Sequence, residues 1–192
     1  MPNTISRRDF LTVGAGGLLT LAPSPPAAVA AIAPGGDIRS RFIAVRGALP
    51  VPAVPVPLIN GKLIELASLR GSLVIVNLWA TWCPGCREEL PALQNLAAKR
   101  IPGLEVLAVA ADREPRKTVA DFAKMLGLSK LAIGLAPDPL ISRKDAEQRS
   151  PFVLYAMPIT YLIGRSGAVE GYFLGQVDWS GDEVLTMLEG FR

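Results

Sequence analysis

Histidine is absent from this 192-residue chain, and cysteine occurs only twice. Without imidazole there is no Ser-His-Asp or Cys-His catalysis, no histidine metal site and no pH switch of the imidazole kind. Two cysteines cannot close a four-ligand zinc site from the usual Cys/His set, so no metal site is expected. Charge is sparse as well: Asp, Glu, Lys and Arg make up 19% of the residues and sum to +3, against roughly 25% charged residues in an average soluble protein. A nucleic-acid surface carries a denser basic footprint, and no such partner is expected. Apolar residues, by contrast, are half of the chain, enough for one domain with a real core.

The start of the chain has an organisation of its own. Ser6-Arg7-Arg8-Asp9-Phe10-Leu11 leads into a mildly apolar run from Phe10 to Ala22 that holds three glycines. That run is too short and too glycine-rich to span the ~30 Å of a bilayer core, but it fits a twin-arginine export signal over residues 1–30. Ala28-Val29-Ala30 supplies a small-x-small cleavage pattern before Ala31. An uncleaved signal acting as an anchor is the alternative, and it is the only membrane contact expected. Nine of the 17 prolines fall within the first 57 residues, and Pro50 to Pro57 alternates proline with apolar residues. Such a stretch cannot be helical. Residues 31–50 therefore read as a Pro/Ala-rich linker and 51–192 as the folded domain.

Within that domain, Asn60-Gly61 between apolar pairs reads as a hairpin, and Ala67–Gly71 as a short helical turn ended by glycine. Leu73–Trp79 is nearly continuously apolar and β-branched, the pattern of a strand covered on both faces. A helix is expected from Pro84 to about Lys99, then a strand over Leu104–Ala110, a helix over Thr118–Leu126 stopped by Gly127, and a short strand over Leu131–Leu135. Pro139 to about Gln148 reads as a helix, Ile159–Ile163 and Ala168–Leu174 as strands, and Ser180-Gly181-Asp182-Glu183 as a capping-box start to a last helix. Strands alternating with helices, then a hairpin and a helix, predict an α/β sheet with helices on both faces.

The chemistry lies in Trp79-Ala80-Thr81-Trp82-Cys83-Pro84-Gly85-Cys86-Arg87-Glu88-Glu89. A buried strand ends there and a helix begins, with Pro84 at the first helical position, where its missing N–H costs nothing. Cys83 then sits at the helix N-terminus. The dipole and the free amides there favour a thiolate, which makes Cys83 the expected nucleophile. Cys86 lies one turn deeper on the same face, shielded from solvent and placed to resolve a mixed disulfide formed by Cys83. Half of a zinc site, a structural disulfide and ordinary buried cysteines are the competing readings. Ligand count opposes the first, the small gain from closing so short a loop opposes the second, and the strand-to-helix context opposes the third. Trp82 is expected to flank Cys83 at the surface and to contact a partner together with Pro84 and Gly85, while Trp79 and Trp179 read as packing residues.

These residues, with Met157-Pro158-Ile159-Thr160-Tyr161-Leu162-Ile163, the Asn60-Gly61-Lys62 hairpin and Val177-Asp178-Trp179-Ser180, resemble the thioredoxin superfamily. Within it they are most similar to the exported TlpA/ResA-like thiol-disulfide oxidoreductases. The resemblance implies a thioredoxin-like fold, a central mixed β-sheet flanked by helices with an N-terminal β-hairpin extension. It also implies a redox-active Cys83-Cys86 pair with no further cofactor and a cis bond before Pro158. Met157 would offer its backbone to an extended segment of the client. Glu89 matches the family position of an acid that handles the proton of Cys86; burial would raise its pKa toward neutrality. Asn77 stands where thioredoxin has a buried Asp, and an amide cannot take a proton.

The resemblance further implies a periplasmic enzyme that reduces client disulfides, of the cytochrome c maturation or copper-site assembly type. Its expected electron donor is a membrane reductase of the DsbD/CcdA kind. A disulfide oxidant or isomerase on the same scaffold is the alternative, and a Cu(I) chaperone using both thiolates a further one. A peroxide-reducing site would carry threonine three residues before Cys83, where this chain has Ala80.

Overall fold

The structure is a computed structural model that describes residues 37–137, 140–142 and 150–191. The export segment, the start of the expected linker and most of the helix expected over Pro139–Gln148 lie outside the described residues. The described residues form ten strands: β1 (Ile43–Pro50), β2 (Pro55–Pro57), β3 (Leu63–Glu65), β4 (Leu73–Trp79), β5 (Leu104–Ala110), β6 (Ala132–Leu135), β7 (Ile141–Ser142), β8 (Phe152–Val153), β9 (Ile159–Ile163) and β10 (Ala168–Leu174). Three α-helices join them, α1 (Pro84–Ala98), α2 (Arg116–Met125) and α3 (Asp182–Glu189), with 3₁₀ turns at Ile38–Arg41 and Leu66–Leu69.

The main sheet has the order β1-β10-β9-β4-β5-β6. All seven residues of β4 are buried, as its unbroken apolar run predicts. It pairs in parallel with β5, from Leu73 opposite Leu104 to Trp79 opposite Ala110, and antiparallel with β9, from Val74 opposite Ile163. Because side chains alternate along a strand, Leu73 and Ile75 enter one core and Val74, Val76 and Leu78 the other. Parallel neighbours need a crossover, and α1 and α2 supply it for β4-β5 and β5-β6.

Helices on both faces were the expectation; the helices among the described residues lie on one, and most of the Pro139–Gln148 segment is outside the described residues. The buried apolar side chains of α1, α2 and α3 all belong to the core on one face of the sheet. The opposite face is covered by the β2-β3 hairpin, by Leu66 and by Leu140 and Phe152. The hairpin crosses β6 closely: a Cβ at Gly134 would lie 2.7 Å from Val56 Cγ1, and Leu58 bridges to Gly134. Its turn uses Gly61 at φ +87°, with the Lys62 amide donating to Asn60 Oδ1 at 3.0 Å. Part of the helix expected over Pro139–Gln148 is strand instead, since Ile141 and Ser142 pair with Phe152 and Val153. A β-branched residue with an apolar partner strand is better placed there than in a helix with no apolar face to bury.

The larger correction concerns residues 38–50, expected as linker. Ile38–Arg41 forms a 3₁₀ turn and Ile43–Pro50 an edge strand antiparallel to β10. Proline was the misleading signal, because Pro50 ends the strand, a place where the missing N–H is tolerated. Phe42 anchors the segment, with ring centroids 5.3 Å from Phe173 and 5.1 Å from Phe191. Gly171 leaves room for it: a side chain there would meet the Phe42 ring and the Ile43 carbonyl. At the other end of the chain, α3 begins without a capping box. Gly181 is its N-cap with no side-chain bond, and the Ser180 hydroxyl donates to Asp178 Oδ1 instead. Among the described residues no helix is long and apolar enough to cross a membrane.

Candidate active site

At the carboxyl end of β4 the chain turns through Ala80, Thr81 and Trp82 into α1. The turn is pinned from β5's side, where the Thr81 amide donates to Asp112 Oδ2 at 2.7 Å. Cys83 is the N-cap of α1, with extended backbone (φ −87°, ψ 113°), and Pro84 follows in the first turn. The Cys86 amide donates to Cys83 Sγ at 3.2 Å, so the sulfur takes the place of the usual capping oxygen. An amide aimed at that sulfur and the positive end of a 15-residue helix both favour negative charge on it. Cys83 and Cys86 form a disulfide with Cα atoms 5.3 Å apart.

Around the disulfide, the expected residues gather. Trp82 stands beside it and is 67% exposed. Met157-Pro158 is a cis peptide bond, with Met157 partly exposed and Pro158 buried. A Cβ on Gly85 would lie 3.6 Å from Pro158 Cδ, which brings the two segments into contact although 73 residues separate Gly85 from Pro158 in the chain. Next to Trp82 and Met157 opens a groove of about 730 Å³, lined also by Asp112, Arg113, Glu114 and Tyr155.

Behind the disulfide the site is closed off. Glu89, one turn beyond Cys86 on α1, is 1% exposed, and Asn77 and Thr160 are fully buried. Trp179 Nε1 donates to Glu89 Oε1 at 2.5 Å and the Val177 amide to the same oxygen at 3.3 Å. Asn77 Nδ2 donates to Glu89 Oε2 at 3.3 Å and to Thr160 Oγ1 at 2.9 Å. Burial pushes the Glu89 carboxyl up to about 7; the donors from Trp179, Val177 and Asn77 and the charge of Arg41 pull the other way without overcoming it. A carboxyl that titrates near neutrality in a closed pocket is able both to hold and to accept a proton.

The residues that cage Glu89 were not all foreseen. Trp179 read as packing, and it is packed, edge-on to Phe173 at 5.8 Å, but its indole N–H is also a ligand of the carboxylate. Asn77 was noted for the proton it cannot take; its contribution is the one it donates. Thr160 was noted only within the stretch that carries the resemblance, and Arg41 carried no signal. Trp79 is a core residue as expected, stacked on Phe122 at 5.6 Å.

Residues 48–171 match the AhpC/TSA family. The thiol-disulfide oxidoreductase ResA of Halalkalibacterium halodurans is 31% identical over 147 residues, covering 74% of this chain and 78% of that protein. The thiol:disulfide interchange protein DsbE of Pseudomonas fluorescens is 29% identical over 143 residues, covering 74% and 72%. Among solved structures, a thioredoxin-family thiol:disulfide interchange protein of Chlorobium tepidum superposes with a TM-score of 0.60 at 27% identity, over 76% of this chain and 99% of that one. Fold, paired cysteines and relatives agree: the chain belongs to the AhpC/TSA family, with a thioredoxin-like fold, and is a thiol–disulfide oxidoreductase of the ResA and DsbE type.

Proposed function

We propose that the protein is a periplasmic reductant of client disulfides, with Cys83 as nucleophile, Cys86 as resolving thiol and Glu89 as the group that takes the proton of Cys86. The thiolate of Cys83 attacks one sulfur of the client disulfide and expels the other as a thiolate, leaving a Cys83–client mixed disulfide. Cys86 loses its proton to Glu89 and attacks Cys83 Sγ, and the client sulfur that was bonded to Cys83 leaves as a thiolate. Two electrons have passed to the client, and Cys83-Cys86 is oxidised. A membrane thiol reductase of the DsbD/CcdA kind returns the electrons.

The observation that carries the direction of flow is the carboxyl buried behind the pair. A strong oxidant owes its potential to a stabilised reduced, thiolate form. Cys83 has an amide and the helix end to favour its thiolate, but the ionisable group behind the pair is an acid, 1% exposed, which adds no positive charge to stabilise that thiolate further. The open side suits a protein client: an extended segment laid along Met157 would meet Trp82 and the groove beside it. The soft Met157 side chain adapts to more than one client surface. The resemblance to the TlpA/ResA-like enzymes supports clients in cytochrome c maturation or copper-site assembly. Ser6-Arg7-Arg8 with its apolar run supports export by the twin-arginine route, and replacing Arg7 and Arg8 by Lys is expected to leave the protein in the cytoplasm.

The test is the reduction potential of the Cys83/Cys86 couple in the purified protein, equilibrated in defined thiol buffers. A value near or below about −270 mV, that of thioredoxin, is the expected result. A value near about −120 mV, that of a strong periplasmic oxidant, would reverse the direction and make the enzyme an oxidant or isomerase.

A further inference from the structure

The residues ahead of β1 reach the back of the redox site. Arg41, at the end of the 3₁₀ turn, donates from Nη2 to the Gln176 carbonyl at 2.6 Å and to the Leu174 carbonyl at 3.4 Å. Both carbonyls belong to the stretch that leaves β10 for α3. The next residue, Val177, donates its amide to Glu89, and Trp179 donates its indole N–H to the same oxygen. The Gln176 side chain closes the loop on the other side, donating to Glu88 Oε2 at 2.9 Å and lying 3.7 Å from where a Cβ on Gly85 would be. One short segment is thus held by a guanidinium on its outer side and holds the redox helix on its inner side.

The charges around Glu89 sharpen the picture. From β4 and β9 it is faced by neutral Asn77 and Thr160, from the β10–α3 connection by neutral Val177 and Trp179, and on its own helix by the disulfide one turn back. Glu88 is exposed and turned to Gln176. Arg41 has no ion-pair partner among the described residues, so its field is not cancelled locally, and it acts on Glu89 in the direction that favours the carboxylate.

We propose that Arg41 is a positioning residue of the redox site: it fixes the Leu174–Val177 segment whose amide and neighbouring indole hold the Glu89 carboxylate. The inference rests on Glu89 having the proton role proposed above only for its consequence in catalysis; the clamp itself is independent of it. It also gives the segment between the export signal and the hairpin a function beyond spacing.

The experiment is a ¹³C-carboxyl NMR titration of Glu89 in the disulfide form of the purified protein, with Glu89→Gln to identify the resonance and amide hydrogen exchange measured on the same samples. Arg41→Gln is expected to speed exchange of the Val177 amide several-fold and to move the Glu89 midpoint upward, because a charge that favours the carboxylate is lost. Arg41→Lys, which keeps the charge but not the planar donor, is expected to keep more of the midpoint than of the Val177 protection, and it decides the matter if Arg41→Gln does not fold. A folded Arg41→Gln, or failing that a folded Arg41→Lys, with both quantities unmoved overturns the inference. The pH profile of thiol release in Glu89→Gln separates the two readings. If that profile is unchanged, the proton role of Glu89 falls and the clamp stands. If it flattens while the Arg41 variants move nothing, the clamp falls and the proton role stands.

Discussion

In front of the disulfide Trp82 is 67% exposed and Met157 borders an open groove, whereas behind it Asn77, Glu89 and Thr160 are 0–1% exposed and bonded to one another and to Trp179. The two sides differ in the kind of work they can do. Side chains in water adjust to whatever docks, and changing one alters mainly the affinity for that partner. A carboxyl out of water has its proton equilibrium set by every neighbour, and changing one neighbour alters the chemistry. The two cysteines sit between these sides: Cys83, 4% exposed, caps the helix next to Trp82, and Cys86, 1% exposed, lies one turn further along it toward the buried acid.

If that division holds, the cysteines fail differently. Cys83→Ser is expected to bring client or insulin reduction down to the buffer rate, because no other thiol faces the partner. Cys86→Ser keeps the first step and accumulates a stoichiometric mixed disulfide, visible by mass spectrometry. Equal mixed-disulfide yields from the two variants would erase the distinction between the sides.

Stability gives a second way to break the comparison. The Glu89 carboxyl titrates near 7 in the folded protein against its ordinary 4.5, so between those values the folded state binds more protons than the unfolded one. Its contribution therefore favours folding at low pH and is lost as pH rises from about 4.5 through about 7, by on the order of 3 kcal/mol at most. The disulfide form of Glu89→Gln, compared with wild type in urea at pH 5 and pH 8, is expected to gain relative stability at the higher pH. Parallel pH dependence in the two proteins would mean that the carboxyl is hydrated after all.

Smaller effects sharpen the picture. Trp179→Phe removes a donor that favours the carboxylate, and the inflection in the pH profile of thiol release is expected to move up by about one unit or less. Trp82→Ala should raise KM for a protein client a few-fold and leave that inflection where it is, measured by steady-state kinetics across pH. A moved inflection in Trp82→Ala would show that the open side also sets the proton chemistry.

The centre of the site was legible because its signals are local. The apolar run of β4, Pro84 at the helix start and two cysteines one turn apart fix strand, boundary and face within 14 residues, Leu73 to Cys86. Met157-Pro158 was legible through resemblance, and the structure places it against Gly85 as a cis bond. Partners far apart in the chain were not legible. Trp179 and Glu89 are 90 residues apart, and nothing in their neighbourhoods says that one indole N–H will point at one carboxylate. Residues 38–50 were misread because proline content outweighed Phe42-Ile43-Ala44-Val45, whose strand pairing depends on the β10 edge and whose Phe42 ring needs the space at Gly171. The helices were placed by their start and stop residues, such as Pro84 and Gly127, and these do not say which face of the sheet a helix will cover.

The most direct test is single-turnover release of client from the Cys83 mixed disulfide, followed from pH 5 to pH 9 in wild type and Glu89→Gln. The account predicts a wild-type rate with an inflection near 7 and, in the variant, a profile without that inflection and a rate at pH 8 lower by roughly 10²-fold, the usual scale of one acid–base group. The same inflection and the same rate in both proteins would contradict it and would leave Glu89 a buried structural acid.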